Sequence, residues 1–100
     1  MAKGYWIAHV DVSSDEGYKP YAANNPGIFK KFGGRFVIRG GKFEAVEGNH
    51  RSRNVVIEFP SYQAAMDCYN SPEYQANMKL RLAHSTGDIL IIEGYDGPQP

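Results

Sequence analysis

The order of strand-like and helix-like segments constrains this chain more than any other feature. Alternating apolar and polar residues, typical of half-buried strands, mark residues 5–12, 35–39, 53–59 and 89–95. Helical spacing marks the stretches that follow the first and third of these strands. The order strand, helix, strand, strand, helix, strand predicts one α+β domain over residues 1–100. In this βαββαβ pattern both helices cover one face of a four-stranded antiparallel sheet.

Capping and breaking residues divide the first helix from its neighbours. Ser13, with Glu16 three residues later, is a capping-box signal, so we expect the helix to begin there. The glycine pair at 33–34 is a natural end. Pro20 and Pro26 each remove a backbone donor inside the helix, and we therefore expect a kink or a break near Pro26.

The middle and end of the chain contain a hairpin and a second helical region. The second strand extends in this prediction through residues 42–46, with a turn at 47–50. Ser61 begins a helix, and the Ser71-Pro72 pair restarts a helical segment that runs to about Leu82. Two short helices and one kinked helix fit this pattern equally well. Residues 96–100 read as an exposed tail.

Charge and cysteine content exclude several classes of protein. The 11 basic and 11 acidic residues cancel, which gives no broad field to attract nucleic acid or an anionic membrane, so we expect neither partner. The apolar run near the start is too short for a signal peptide or a membrane span. A lone cysteine, Cys68, excludes an internal disulfide and falls on the apolar side of a helix, where we expect an inert thiol. The prediction is a cytoplasmic protein.

Sorting the strand residues by side gives the sheet two different faces. The helix-facing set is wholly apolar: Trp6, Ala8, Val10, Val12, Phe36, Ile38, Val55, Ile57, Phe59, Leu90 and Ile92. The opposite set is mixed: Tyr5, Ile7, His9, Val37, Arg39, Asn54, Val56, Glu58, Ile89, Ile91, Glu93 and Tyr95. Its aliphatic residues form a larger patch than soluble monomers usually expose, so we expect a second copy of the chain to cover it as a homodimer.

The ionisable residues of the mixed face are the candidate catalytic groups. His9 is a candidate general base, oriented by Glu58 or Glu93 on neighbouring strands. The alternative is a structural histidine bonded to a glutamate across the dimer interface. Arg39 precedes Gly40, where a missing side chain lets a ligand approach, and its guanidinium suits a carboxylate or an enolate oxygen. The alternative for Arg39 is an ion pair with one of the glutamates.

Further polar residues complete the predicted pocket. Tyr5, Asn54, Tyr95 and Gly40 are the expected ligand-binding positions, although interface tyrosines often serve in packing. His9 with two glutamates has the ligand types of a metal site, but the spacing does not require one, and we expect neither metal nor cofactor. The basic residues Arg51 and Arg53 are expected to lie in solvent at the hairpin tip.

Four segments together resemble a known family. They are KGYWIAHVDV, KKFGGRFVIRGGKFEAVEG, RNVVIEFPSYQAAMDCYNSPEYQ and IIEGYDG, and with them essentially the whole chain resembles the small bacterial family labelled domain of unknown function 1330. The resemblance implies a ferredoxin-like fold that pairs sheet to sheet as a dimeric α/β barrel. Cofactorless monooxygenases, muconolactone isomerases and haem-binding relatives share that architecture, but the resemblance implies no established activity. Pro20 departs from the family pattern, where a helix former is expected.

Two functional hypotheses follow. The first is a homodimer that binds a small anionic or enolisable molecule in a pocket on the sheet face and transforms it without a cofactor. The second is a non-catalytic homodimeric binding or accessory protein, in which the same residues form a structural charge network. The identity of the small-molecule ligand does not follow from the residues.

Overall fold

Over residues 2–100, which a computed structural model describes, the chain folds into a four-stranded antiparallel sheet covered on one face by three helices. In chain order the elements are β1 (Gly4–Val12), α1 (Asp15–Lys31), β2 (Arg35–Arg39), β3 (Arg53–Phe59), α2 (Tyr62–Asn70), α3 (Pro72–His84) and β4 (Ser85–Glu93). The strand order is β2-β3-β1-β4, and every neighbouring pair is antiparallel. The predicted βαββαβ fold class is confirmed, with the second helical region divided in two.

The core lies between the helices and the inner side of the two central strands. Trp6 on β1 is 1% exposed, and its indole Nε1 donates to the main-chain oxygen of Ala65 on α2 at 2.9 Å. Four aromatic rings pack around it with centroids 4.7–5.8 Å away: Phe29, Phe59, Tyr69 and Tyr74. Edge-to-face contacts of this kind add to the stabilisation from burial. Trp6 therefore joins β1 to all three helices and to β3.

Helix α1 begins one residue later than predicted and is continuous. Ser14, not Ser13, is the cap, and its Oγ accepts a hydrogen bond from the Gly17 amide at 3.1 Å. The helix passes through both Pro20 and Pro26, so of the two expected outcomes, a kink or a break, the break does not occur. The buried positions of α1 are Tyr18, Tyr21, Asn25, Ile28 and Phe29. Packing along this face offsets the backbone bonds that the prolines remove.

Ser71 separates the last two helices. Its Oγ donates to the main-chain oxygen of Cys68 at 2.7 Å and accepts from the Tyr74 amide at 3.2 Å, so one hydroxyl ends α2 and caps α3. Pro72 then occupies the first turn of α3, where no backbone donor is needed. The two-helix alternative is therefore the correct one. Burial raises the pKa of the Cys68 thiol to about 12, which keeps it protonated, as expected of an inert core cysteine.

Strand β4 presents the opposite faces from those predicted. It begins at Ser85, directly after α3, and its register places Ile91 opposite Trp6. Because paired residues of antiparallel strands share a face, Ile91 faces the helices, while Leu90 and Ile92 lie on the other side, each about half exposed. The sequence has aliphatic side chains at every position from 89 to 92, so alternation alone could not choose between the two registers.

A bulge in β2 also reverses a predicted side. Phe36 and Ile38 oppose consecutive residues of β3, which leaves Val37 as an extra residue. Beyond the bulge Ile38 lies on the face away from the helices, and Arg39 lies opposite the buried Val55, on the helix side. The predicted continuation of this strand is wrong, because residues 40–52 form an irregular loop and not a strand.

The other side of the sheet, here called the open face, is covered by no helix or strand of residues 2–100. Its members are Tyr5, Ile7, His9, Asp11, Arg35, Ile38, Asn54, Val56, Glu58, Thr86, Asp88, Leu90 and Ile92. The protein measures 43 × 37 × 17 Å, so it is only as thick as one sheet and one helix layer. No helix in the described part of the chain is both long enough and apolar enough to cross a bilayer.

The core assignment predicts a contrast between two aliphatic truncations. Ile57→Ala removes a side chain that is 2% exposed and should lower the free energy of unfolding by about 2–5 kcal/mol. Leu82→Ala on α3 truncates a side chain that is 59% exposed and should change it by less than about 0.5 kcal/mol. Urea unfolding measures both values. Equal losses in the two variants would contradict this core.

Candidate functional site

A cleft of about 1020 Å³ lies at one end of the open face, beneath the 40–52 loop. The sheet contributes His9, Asp11, Val37, Ile38, Arg39, Asn54 and Asp88, and the loop contributes Gly41, Lys42, Phe43, Glu44, Ala45, Asn49, His50 and Arg51. Ten of these lining residues are polar or charged and four carry apolar side chains, and polar groups that converge in a concave site suit a small-molecule ligand. Three of the eight predicted site residues lie in this lining, namely His9, Arg39 and Asn54.

His9 and Asn54 form a directly paired couple at the base of the cleft. They face each other across β1 and β3, and His9 Nδ1 lies 2.6 Å from Asn54 Oδ1. Asn54 Nδ2 donates to the main-chain oxygen of Arg51 at 3.4 Å, which orients the amide oxygen towards the histidine. An oxygen acceptor at Nδ1 favours the imidazole tautomer with its proton on Nδ1. Nε2 is then an unprotonated acceptor on an exposed side chain in the cleft.

Arg51 ties the end of the loop to the sheet. Its Nη1 donates to Asp11 Oδ2 at 3.0 Å, and its Nε donates to Asp88 Oδ2 at 3.3 Å. The Ser52 amide donates to the other oxygen of Asp11, and this bond, together with Arg51, lowers the pKa of that carboxyl group below its usual value. The expected solvated position of Arg51 is wrong. Its partners on β1 and β4 are distant in sequence, so no local pattern marked them.

Glu58 belongs to a separate cluster at the other end of the open face. Its carboxylate accepts from Tyr5 Oη at 2.9 Å and from Arg35 Nε at 3.0 Å. Tyr5 and His9 are four residues apart on β1, which is about 13 Å along a strand. Glu58 therefore does not orient His9, and the predicted convergence of these groups is wrong. The Arg35 guanidinium and then the Tyr5 hydroxyl lower the pKa of Glu58, and the same hydrogen bond raises the pKa of Tyr5.

Arg39 lies at the rim of the cleft. Its guanidinium lies 4.2 Å from the centre of the Phe36 ring, a cation–π contact, and it makes no ion pair with any residue in the described range 2–100. The predicted pairing with a glutamate is therefore not formed. Because the bulge turns Arg39 to the helix side, it approaches the cleft around the sheet edge.

The remaining predicted residues lie apart from the cleft. Glu93 pairs with Gly4 at the opposite end of the sheet, because the register of β4 differs from the predicted one. Tyr95 is 71% exposed, and its hydroxyl donates to the main-chain oxygen of Pro98 at 2.7 Å. Gly40 adopts φ +65° as the chain leaves β2, a conformation that favours glycine, and its amide donates to a main-chain oxygen of β3. Gly40 thus shapes the entrance to the loop.

The His, Cys, Asp and Glu side chains of residues 2–100 include no group of three placed to share a metal ion. Two of the carboxylates that line the cleft with His9, those of Asp11 and Asp88, both bond to Arg51.

Comparison with known families decides where this chain belongs. The family model described as Domain of unknown function (DUF1330) matches residues 3–95. The chain belongs to the DUF1330 family. The resemblance seen in the sequence is therefore confirmed. No curated protein matches this DUF1330 domain in sequence.

Solved structures share the fold of this DUF1330 domain at low identity. A protein of unknown function from Rhodopseudomonas palustris is 18% identical, with a TM-score of 0.74 over 96% of this chain and 85% of its own. SnoaB, a cofactor-independent oxygenase from Streptomyces nogalater, is 14% identical, with a TM-score of 0.65 over 100% and 97%. A dabb family protein with a ferredoxin-like fold from Mesorhizobium loti is 13% identical, with a TM-score of 0.66 over 98% and 100%. These similarities establish the ferredoxin-like fold.

The Glu58 cluster predicts a measurable shift in one carboxyl group. Arg35→Met removes the main cause of the lowered pKa, so the pKa of Glu58 should rise towards its ordinary value in a carbon-detected NMR titration. A lowered pKa in the folded state stabilises the fold above the unfolded-state value of about 4.3, and this contribution is lost as the pH falls through the folded-state pKa. Arg35→Met should therefore lose less free energy of unfolding than the wild-type protein as the pH falls from the unfolded-state pKa through the folded-state pKa of Glu58. The pKa of Asp11, paired with Arg51, is the internal control, and an unmoved Glu58 pKa contradicts the assignment.

Proposed function

We propose that this DUF1330 domain is a homodimer that binds a small enolisable organic anion in the cleft, where His9 Nε2 accepts a proton from the ligand. The observation on which the proposal rests is the short His9–Asn54 hydrogen bond, which favours the tautomer with a free acceptor at Nε2 in the cleft. No cofactor is needed for such a proton transfer.

The open face supports the homodimer. Five aliphatic side chains share this face, namely Ile7, Ile38, Val56, Leu90 and Ile92, and three of them are about half exposed. The protein is only 17 Å thick, which is one sheet and one helix layer. A second copy packed against the open face would bury these side chains and cover the sheet on that side. The charged groups of the face lie at its two ends, where Arg35 pairs with Glu58 and Arg51 pairs with two aspartates. An apolar centre with a polar rim is the usual composition of a stable interface.

The cleft supports the choice of an anionic ligand. Arg39 and Lys42 both line it without an ion-pair partner among the described residues, whereas two of its three carboxylates are already paired with Arg51. Cationic side chains of this kind suit a carboxylate, and they stabilise the negative oxygen that forms when an enolate is generated.

The proton transfer is a simple exchange between two groups. Neutral His9 takes a proton from the carbon next to a ligand carbonyl and becomes an imidazolium, while the electron pair moves to the carbonyl oxygen as an enolate. Asn54 Oδ1 holds the Nδ1 proton and stabilises the imidazolium. Return of the proton restores both groups, so the step is balanced.

A non-catalytic binding protein is the second candidate. The observation that favours it is the pairing of Glu58, Asp11 and Asp88 with arginines, which gives these carboxylates a structural role. In that case the cleft binds the same anion without removing its proton.

A charge on the open face should separate the subunits. The wild-type chain should sediment at twice its mass of 11.2 kDa at micromolar concentration. Leu90→Lys places an ammonium among the interface aliphatics and should weaken the dimer at least tenfold, whereas Leu82→Lys on α3 should not change it. A monomeric wild-type protein, or equal behaviour of the two variants, would overturn the homodimer.

Hydrogen–deuterium exchange tests the proton transfer without knowledge of the complete reaction. In D₂O the protein should accelerate exchange of the carbon-bound protons of acetoacetate or pyruvate, followed by proton NMR. His9→Gln should lower the acceleration by about 100-fold or more, the usual effect of losing a general base. His84→Gln, on α3 and outside the cleft lining, is the matched control.

Calorimetric titration of the same acids separates the two candidates. If the acids bind, Arg39→Met weakens that binding about tenfold, and the protein does not accelerate hydrogen–deuterium exchange, the protein is the non-catalytic binding protein. Neither binding nor exchange with a panel of such acids would contradict both.

A further inference from the structure

A second cavity, of about 30 Å³, lies between the sheet and helices α1 and α3. Its wall includes three arginines, Arg39, Arg53 and Arg81, from β2, β3 and α3 respectively. No aspartate or glutamate occurs among the described residues that line it. This small space is therefore bordered by three arginines and, among the residues described, by no acidic side chain.

Two of these guanidinium groups have buried donors without a protein acceptor. Arg81 is 7% exposed, and its Nε has no hydrogen-bond partner among residues 2–100. The Nε of Arg53 is also buried and unpartnered in that range. Leaving a charged donor unsatisfied in the interior costs more than almost any other local defect. An acceptor from outside the chain would remove this cost at both groups.

The surroundings of the cavity do not supply a negative charge. The ion pairs within the described range involve Lys31, Arg35 and Arg51, and none reaches the three arginines of the cavity. The guanidinium of Arg53 lies 5.5 Å from the centre of the Tyr18 ring. The other polar side chains in the wall are those of Tyr18, Tyr21 and Asn25. Burial raises the pKa of Tyr18, so its phenol stays neutral.

We propose that this cavity is an internal anion site that binds a single carboxylate group, held by Arg53 and Arg81. A volume of 30 Å³ admits one or two atoms of water size, which fits the oxygens of a carboxylate. The planar guanidinium offers paired donors that match those oxygens. The site is on the helix side of the sheet and uses neither His9 nor Asn54. Arg39 borders both this cavity and the cleft, but it is not one of the two arginines that hold the carboxylate.

Formate, the smallest carboxylate, is the probe for this site. Nitrogen-15 spectra resolve the Nε–Hε groups of arginine side chains, and formate is added with sodium sulfate holding the ionic strength constant. The Nε–Hε signals of Arg53 and Arg81 should shift along one common saturating curve. The signal of Arg35, which is paired with Glu58 on the open face, serves as the control in the same spectrum and should not follow that curve.

Variants assign the binding to the two arginines. Arg53→Met and Arg81→Met should each raise the formate concentration at half-saturation by about tenfold or more, because each removes a charge-assisted bond. Arg35→Met should leave it unchanged. If Arg81→Met does not fold, formate binding at this site is tested by the half-saturation concentration in Arg53→Met and by the shift of the Arg81 signal in the wild-type protein.

Two results would overturn the internal site. One is that the Arg53 and Arg81 signals stay in place, or drift linearly together with that of Arg35, up to the highest formate concentration. The other is an unchanged half-saturation point in Arg53→Met. A failure of exchange or binding in the cleft does not affect either outcome, since neither variant alters His9, Asn54 or the loop lining.

Discussion

The position of Trp6 in the middle of the sheet sets the arrangement of the rest of the domain. Its indole is hydrogen-bonded to the main chain of α2 and packed among four aromatic rings, one from each of the three helices and one from β3. Because β1 lies between β3 and β4, this one orientation determines which side of both neighbours faces the helices. A shift of one residue would expose the indole and bury His9, so the core and the candidate site depend on the same register.

The open face follows directly from that register. With the aromatic side of the sheet closed by helices, the alternate residues of β1, β3 and β4 have no helix or strand of the described chain above them. Arginines pair with carboxylates at the two ends of the face, and aliphatic side chains occupy the middle. The Arg51 network also positions the 40–52 loop, so the proposed interface and the cleft are built from adjoining parts of one surface.

The sequence predicted those features that depend on local patterns. Element order and the alternation of β1 follow from residue spacing and capping chemistry, whereas Ser71-Pro72 marked a restart of the helix without deciding between two helices and one kinked helix. The residues of β4 that face the helices could not be predicted in this way, because four consecutive aliphatic residues satisfy either register. The bulge at Val37 has no glycine of its own to mark it. For the site, His9 and Asn54 were found by their shared face, whereas Glu58 was misplaced because sharing a face does not specify position along the strand. Arg51 was missed because its partners are set by tertiary structure.

The burial of the open face between two copies of the chain is most directly tested by isotope-filtered NMR on a mixture of labelled and unlabelled protein. Such burial predicts intermolecular contacts for the methyl groups of Ile7, Val56, Leu90 and Ile92, and none for Leu82 on α3. The absence of intermolecular contacts from the four open-face residues, or contacts confined to the helix side, would contradict it.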